Sequence, residues 1–167
     1  MFGYMRALRG DADEACDIVE RSLKALRGMY ATGWVLWGAE VGGTLVLARR
    51  HDDAIAFAED LIVLARRVGA AGSEASALQF LGDAVAATGD GGDGAAAQSY
   101  RHALALAEAL SMRPLAAQCH AGLARLAFRA GRRTDAGEHL ATATAMYPGM
   151  GMTYWLEKVT RDTSAFA

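Results

Sequence analysis

The glycine-rich run at residues 89–94 is the segment that most resembles a chemical motif, because it matches the phosphate-binding pattern GxGxxG. That pattern cradles a phosphate when it follows a β-strand and opens a helix. Here it lies between two stretches of helical periodicity, so we interpret it as a flexible inter-helix turn with a two-residue insertion. Asp90 and Asp93 could contact a divalent cation, but the ligand spacing of an EF-hand is missing. We therefore expect no cofactor here.

The histidines and cysteines do not form a recognisable site either. No two histidines on one predicted helix have the i, i+4 spacing of metal ligands. We interpret Cys119 as core-facing and its neighbour His120 as surface-exposed, with no metal bound. No Ser/His/Asp set stands out, so the sequence predicts no catalytic residue and no enzyme activity. The four histidines are His51, His102, His120 and His139.

Composition excludes several classes of partner. The chain of 167 residues has 17 basic and 19 acidic residues, so it has no net positive charge that would attract it to nucleic acid or anionic lipid. Two distant cysteines and the lack of a secretory signal favour the cytoplasm. Residues 31–48 are apolar and include a GxxxG match, but Glu40 lies in their middle. We interpret them as a buried helix of a water-soluble array rather than a membrane span.

The chain has an internal period of about 40 residues, which determines the fold prediction. Polar turns followed by an alanine recur at residues 10–15, 49–54, 92–96 and 131–136. Counting forward from each alanine by 4, 7 and 11 residues gives only apolar or small side chains, which is one face of a helix. Each repeat therefore contains a B helix that buries this stripe. The four alanines that begin the stripes are Ala15, Ala54, Ala96 and Ala136.

A second apolar helix, the A helix, precedes each turn. The predicted A helices span residues 32–48, 73–88 and 114–130, with a shortened one at 2–9. Asp52 and Thr134 are expected N-caps, and Pro114 fits a first helical turn. Asp11 and Glu14 match a capping box. No segment alternates with period two, so the predicted fold is all-α.

Residues 123–136 follow the order leucine, small, aromatic, glycine, alanine, and Pro148 follows the last B helix. This resembles the tetratricopeptide repeat (TPR) family, and the same comparison fits residues 2–15, 41–54 and 81–96. The resemblance implies an α-α superhelix, a solenoid of antiparallel helix pairs. Residues 1–152 would be the repeats, the first one truncated. Residues 153–167 would be a capping helix and tail, anchored by Tyr154, Trp155 and Leu156.

A narrower resemblance involves residues 112–120, 138–152 and 154–157. They are similar to the C-terminal TPR arm of bacterial multidomain proteins. Those proteins join an AAA-like NTPase to a class III nucleotidyl cyclase or a LuxR-type DNA-binding domain. None of those catalytic modules is present in this sequence. The resemblance implies an arm that regulates such a domain.

In the TPR family the A helices line a concave groove that binds peptides or partner domains. The Lys and Asn set that clamps a C-terminal carboxylate in chaperone-type TPRs is absent here. Arg125 and Arg129, one turn apart, could hold an acidic segment or could be solvated arginines. Gly43, Val46 and Ala86 also match groove positions. The polar and aromatic groove positions that the resemblance implies are Gln79, Asp83, Gln118, Arg125, Phe128 and Arg129.

We therefore expect a non-catalytic protein-protein interaction scaffold, the C-terminal regulatory arm of a larger bacterial signalling protein. Its partner would be a protein or peptide, such as a domain of the same polypeptide. The alternative is a free-standing adaptor or gene remnant that forms a homodimer through the truncated first repeat. An unfinished repeat leaves an apolar stripe uncovered, which favours either fraying of the N-terminus or pairing with a second copy.

Overall fold

A computed structural model of the chain describes Asp17, Ile18, Arg21 and residues 42–89 and 91–164. Residues 42–47 are helical and precede six further α-helices. A 3₁₀ turn at Pro148–Met150 separates the last two helices. The six helices are α1 (His51–Arg67), α2 (Ala71–Thr88), α3 (Asp93–Ala109), α4 (Arg113–Arg129), α5 (Arg133–Met146) and α6 (Thr153–Ser164).

The all-α prediction is confirmed, since the described ranges contain helices and turns but no strand. Each helix from α1 to α4 packs against the next one, and α2 also contacts α4 across the stack. The predicted A helices α2 and α4 therefore lie side by side in one layer. The B helices α1, α3 and α5 form the other layer, and the whole is an α-α superhelix.

The alanine-led stripe of each B helix is buried, as its spacing predicts. In α3 the stripe residues Ala96, Tyr100, Ala103 and Ala107 are all fully buried. Small side chains at three of these four positions let neighbouring helix backbones approach closely. The exception in the last repeat is Leu140, which is only partly buried. The first stripe, from Ala15, lies outside the described residues, as does the capping box at Asp11 and Glu14.

Four connections share one backbone geometry, and this corrects the predicted N-caps. A residue with positive φ follows each helix, and the next N–H bonds back across the turn, as in Arg132 N–H to Ala127 O at 2.9 Å. The following helix begins at once, without a side-chain cap. The predictions for Asp52 and Thr134 are wrong, since both lie inside their helices. The four positive-φ residues are Arg49, Gly69, Ser111 and Gly131.

The second glycine of the GxxxG match, Gly42, has a packing role. A Cβ built on Gly42 would overlap the ring of Phe80, so the glycine permits close contact with α2. No described helix is long and apolar enough to cross a membrane. Residues 32–41 of the predicted helix, with Trp34 and Trp37, lie outside the described residues. So does the truncated first repeat, apart from Asp17, Ile18 and Arg21.

The C-terminal helix α6 begins at Thr153 and packs on α4 and α5. Trp155 and Leu156 are partly buried against this end of the stack, as expected of anchors. Tyr154 is 50% exposed, so its prediction as an anchor is wrong. Val159, which is 2% exposed, takes that place because it follows Trp155 and Leu156 at helical spacing on the same face.

Candidate partner-binding groove

A cavity of about 350 Å³ opens on the A-helix side of the superhelix, between residues 42–47, α2, α4 and α6. Five of the six predicted polar and aromatic groove positions line it, and so do Gly43, Val46 and Ala86. The sixth, Phe128, is half-buried and is not part of this lining. We call this cavity the groove. The five predicted positions that meet in it are Gln79, Asp83, Gln118, Arg125 and Arg129.

The Asp83 carboxylate bonds to three other polar side chains of the groove, and we call this set the polar network. The Tyr100 hydroxyl donates a hydrogen bond to its Oδ1 at 2.5 Å. Arg125 Nη2 approaches the same oxygen at 3.3 Å, while the Gln79 amide donates to Oδ2. The carboxylate therefore joins α2 to both α3 and α4. Because Asp83 and Arg125 remain about one-third exposed, the network is fixed in place yet accessible from the groove.

Tyr100 reaches this network because two glycines make room for its ring. A Cβ on Gly82 would come within 2.8 Å of Tyr100 Cδ1, and one on Gly122 within 2.5 Å of Cζ. Any larger residue at either position would collide with the ring. Gly82 and Gly122 are 40 residues apart, which is the repeat period. The ring is therefore clamped between the two A helices that form the groove floor.

The environment of these groups also sets their protonation. Burial, reinforced by the neighbouring Asp83 carboxylate, raises the pKa of Tyr100 well above 10.0. The phenol therefore stays protonated and can donate to Asp83 at any physiological pH. Burial, followed by the effect of Asp83, likewise raises the pKa of Cys119 to about 12. Cys119 is fully buried, as predicted, and its thiol is neutral.

Arg129, one turn after Arg125 on α4, also bonds to neighbouring helices. Its Nη1 donates to Ala86 O at 2.8 Å, and its Nη2 donates to Asp93 Oδ1 at 2.5 Å. Asp93 belongs to the GxGxxG match, which joins α2 to α3 as the sequence predicts. Asp90 lies outside the described residues. Both groove arginines, Arg125 and Arg129, thus bond across to other helices while about one-third of each side chain remains exposed.

Sequence reasoning missed the part of the groove that comes from the C-terminal end. Tyr147, Trp155 and Lys158 line it although none is a predicted groove position. Lys158 Nζ lies 5.1 Å from the centre of the Trp155 ring, within range of a cation–π contact. The family resemblance implies which A-helix positions line the groove, but it does not indicate how closely the capping helix approaches them. Lys158 also adds a third cation beside Arg125 and Arg129.

Outside the groove, α4 and α5 are joined by a contact that contradicts one prediction. His120 Nδ1 and His139 Nδ1 lie 2.9 Å apart, and both side chains are half-buried. His120 is therefore not a surface-exposed polar residue. The i, i+4 rule missed this pair because the two histidines belong to different helices. No group of three or more metal-ligating side chains occurs among the described residues.

No protein-family model matches the chain, and no curated protein matches it. Among solved structures, it is similar to the crystal structure of aspartyl phosphate phosphatase F from Bacillus subtilis. The TM-score is 0.73 at 12% sequence identity. The match covers 99% of this chain and 43% of that chain, so this chain spans less than half the length of its structural relative. At such low identity the likeness shows a shared helical-repeat fold.

Proposed function

We propose that the chain is a non-catalytic protein-interaction scaffold of the TPR type, whose groove binds an extended segment of a partner protein. The observation that supports this most directly is the convergence on one cavity of five groove positions that the TPR resemblance implies. Ligand pockets combine an apolar wall with a few fixed polar groups. Here Leu47 and Trp155 supply apolar surface, and Asp83 and Arg125 are held by bonds to neighbouring helices.

The charges of the groove favour a segment that carries an acidic side chain. Three cations line it, Arg125, Arg129 and Lys158, whereas Asp83 is the only carboxylate among the described residues of the lining. Asp93 offsets a second cation through its bond to Arg129. A bound segment would remove water from these groups, and a carboxylate on the ligand would compensate for the lost hydration of the remaining positive charge.

We further propose that the scaffold is the C-terminal regulatory arm of a larger bacterial signalling NTPase, cyclase or transcriptional regulator in the cytoplasm. This rests on the resemblance of residues 112–120, 138–152 and 154–157 to such arms. The alternative is the free-standing adaptor that dimerises through its first repeat. A blot of native-host lysate with an antibody against the chain separates the two. A band far above 17.6 kDa supports the arm, and one at that mass supports the adaptor.

The binding proposal is tested with peptides selected from a random display library on the immobilised chain. Each selected peptide is compared with a copy in which every Glu and Asp is replaced by Gln and Asn. We expect the acidic form to bind about tenfold more tightly, because a charge-assisted hydrogen bond contributes about 1.5–3 kcal/mol. Arg125→Gln and Lys158→Gln should remove this preference. Equal binding of both forms, or no selected peptide, would contradict the proposal.

The matched control is Arg113→Gln, because Arg113 is an exposed arginine of the same helix as Arg125 but lies outside the groove. This variant should keep the preference for acidic peptides. Thermal unfolding of every variant shows whether lost binding reflects lost folding. The non-catalytic part has its own test: hydrolysis of ATP or of an acyl phosphate such as acetyl phosphate by the purified chain would overturn it.

A further inference from the structure

The contact between His120 and His139 is a titratable cluster that the groove does not use. It joins α4 to α5 in the last repeat, with the ring centres 5.2 Å apart and the planes tilted by 44°. A separation of 2.9 Å between the two Nδ1 atoms is a hydrogen bond, so one nitrogen carries a proton and the other accepts it. The contact thus depends on how many protons the pair holds.

Proton counting shows when this bond must break. In the neutral pair, the donor ring has a free Nε2 that can take up a first proton without disturbing the bond between the Nδ1 atoms. A second proton has to enter at the accepting Nδ1, which removes the acceptor lone pair. Two imidazolium cations then face each other with two N–H groups in opposition. The doubly protonated pair must therefore separate.

We propose that His120 and His139 form a pH-sensitive lock between α4 and α5, closed while the pair holds at most one excess proton and open when it holds two. The consequence reaches the groove, because α4 carries Gln118 and Arg125 and α5 leads directly into Tyr147. The Tyr147 hydroxyl donates to Ala117 O at 3.3 Å, a second link between the same elements. Opening the lock would loosen this end of the superhelix.

Charged groups face the lock from several elements. Glu108 of α3 acts on His120 and favours its protonation. Around His139, Asp135 and Glu138 favour protonation, whereas Arg101 and Arg132 oppose it. Burial outweighs these neighbours, so the pKa of each imidazole is lowered below its ordinary value of 6.5.

The lowered pKa values give the direction of the pH effect. A histidine with a lower pKa in the folded chain binds fewer protons there than in the unfolded chain. Its contribution to stability is therefore complete above about pH 6.5 and is lost as the pH falls through the folded-state values. Each additional proton taken up on unfolding changes the unfolding equilibrium constant by up to about tenfold per pH unit. The lock thus weakens in mildly acidic solution.

The test follows the unfolding equilibrium of the whole chain in urea at about pH 7.5 and about pH 5.5, the range in which histidine titrates. Variants are His120→Gln, His139→Gln and the double variant. We expect wild type to lose stability on acidification by a severalfold larger factor than the double variant does. His102→Gln is the control, because His102 is exposed on α3 and should leave the pH dependence unchanged.

Nuclear magnetic resonance titration of the imidazole protons gives a readout that a merely structural role would not change. In wild type the pair should titrate in two separated steps. In His139→Gln, the His120 resonance should titrate in one step at a higher pH, because its closest positive neighbour is gone. Identical His120 titration in both proteins, or an equal acid response of wild type and double variant, would overturn the proposal. No peptide is needed, so the result is independent of the groove's function.

Discussion

Two fully buried tyrosines hold two different parts of the stack. Tyr100 lies at its centre, between α2 and α4, and Tyr147 lies at its C-terminal end, where α5 leads into α6. The Tyr100 ring is clamped against two glycines and bonds to a carboxylate at 2.5 Å. The Tyr147 hydroxyl reaches only a helix carbonyl, that of Ala117, at 3.3 Å. The central contact is therefore the tighter and more polar of the two.

The surroundings of the two rings explain this difference. Rigid backbone faces surround Tyr100, while Tyr147 packs among long side chains such as Met146, Met150 and Trp155. Unbranched methionine side chains adapt to an irregular space and tolerate change better than a glycine–ring contact does. The contrast shows how one repeat pattern gives a rigid groove floor in the middle and a more adaptable end.

The strongest test of this contrast adds one methyl group at the central contact. Gly122→Ala places a Cβ at 2.5 Å from Tyr100 Cζ, so the ring or α4 must shift. We expect a loss of about 2 kcal/mol, since overpacking costs roughly 1–3 kcal/mol and exceeds the helix-propensity gain of alanine. The measurement is the free energy of unfolding in urea.

The same substitution at Gly137 is the matched control, because Gly137 is also within a helix but has nothing within 4 Å of its Cβ position. There the gain in helix propensity should dominate and stabilise the chain by about 0.5–1 kcal/mol. Opposite signs for the two variants establish the clamp around Tyr100. The same sign at both sites would show that ring and glycines do not define this interface.

Removing each hydroxyl separates the polar part of the comparison. Tyr100→Phe leaves the ring in place but takes one donor from Asp83, which keeps Gln79 and Arg125. We expect a loss of about 1 kcal/mol, which is less than the roughly 1.5–3 kcal/mol of a hydrogen bond to a charged group because the two remaining donors still satisfy the carboxylate. Tyr147→Phe should cost less than about 0.5 kcal/mol, because its bond is long and its acceptor is a backbone carbonyl. Equal losses would contradict the ranking of the two sites.

Sequence reasoning predicted the features that depend on spacing along the chain. The helix order and the buried B-helix stripes reflect the 40-residue period, and periodicity is visible without a structure. The five groove positions came instead from the resemblance to the TPR family. Sequence reasoning could not predict contacts between helices, such as His120 with His139 or Lys158 in the groove. One signal was nonetheless available. Gly42, Gly82 and Gly122 recur at intervals of 40 residues, which marks close helix contacts.

The N-caps predicted at Asp52 and Thr134 failed for a local reason. The turn bonds of the preceding helix run directly into the first turn of the next one, so no side-chain cap is needed at Asp52 or Thr134. Next to Asp52, the Asp53 carboxylate pairs with a side chain rather than with the backbone, since Arg50 Nε donates to Asp53 Oδ2 at 2.7 Å. Phe128 was taken from a family groove position, and it is not among the residues that line the groove.

The smallest predicted effect concerns the turns on either side of α4. Ser111, before α4, and Gly131, after it, occupy the same place in the turn, with φ of 56° and 71°. A left-handed conformation costs a non-glycine residue about 1–2 kcal/mol, but glycine also loses more chain entropy on folding. We therefore expect Ser111→Gly to stabilise the chain by about 0.5 kcal/mol and Gly131→Ser to destabilise it by about as much. Thermal unfolding of both variants measures the two effects. A loss of stability in Ser111→Gly would show that the left-handed conformation of Ser111 does not strain the turn between α3 and α4.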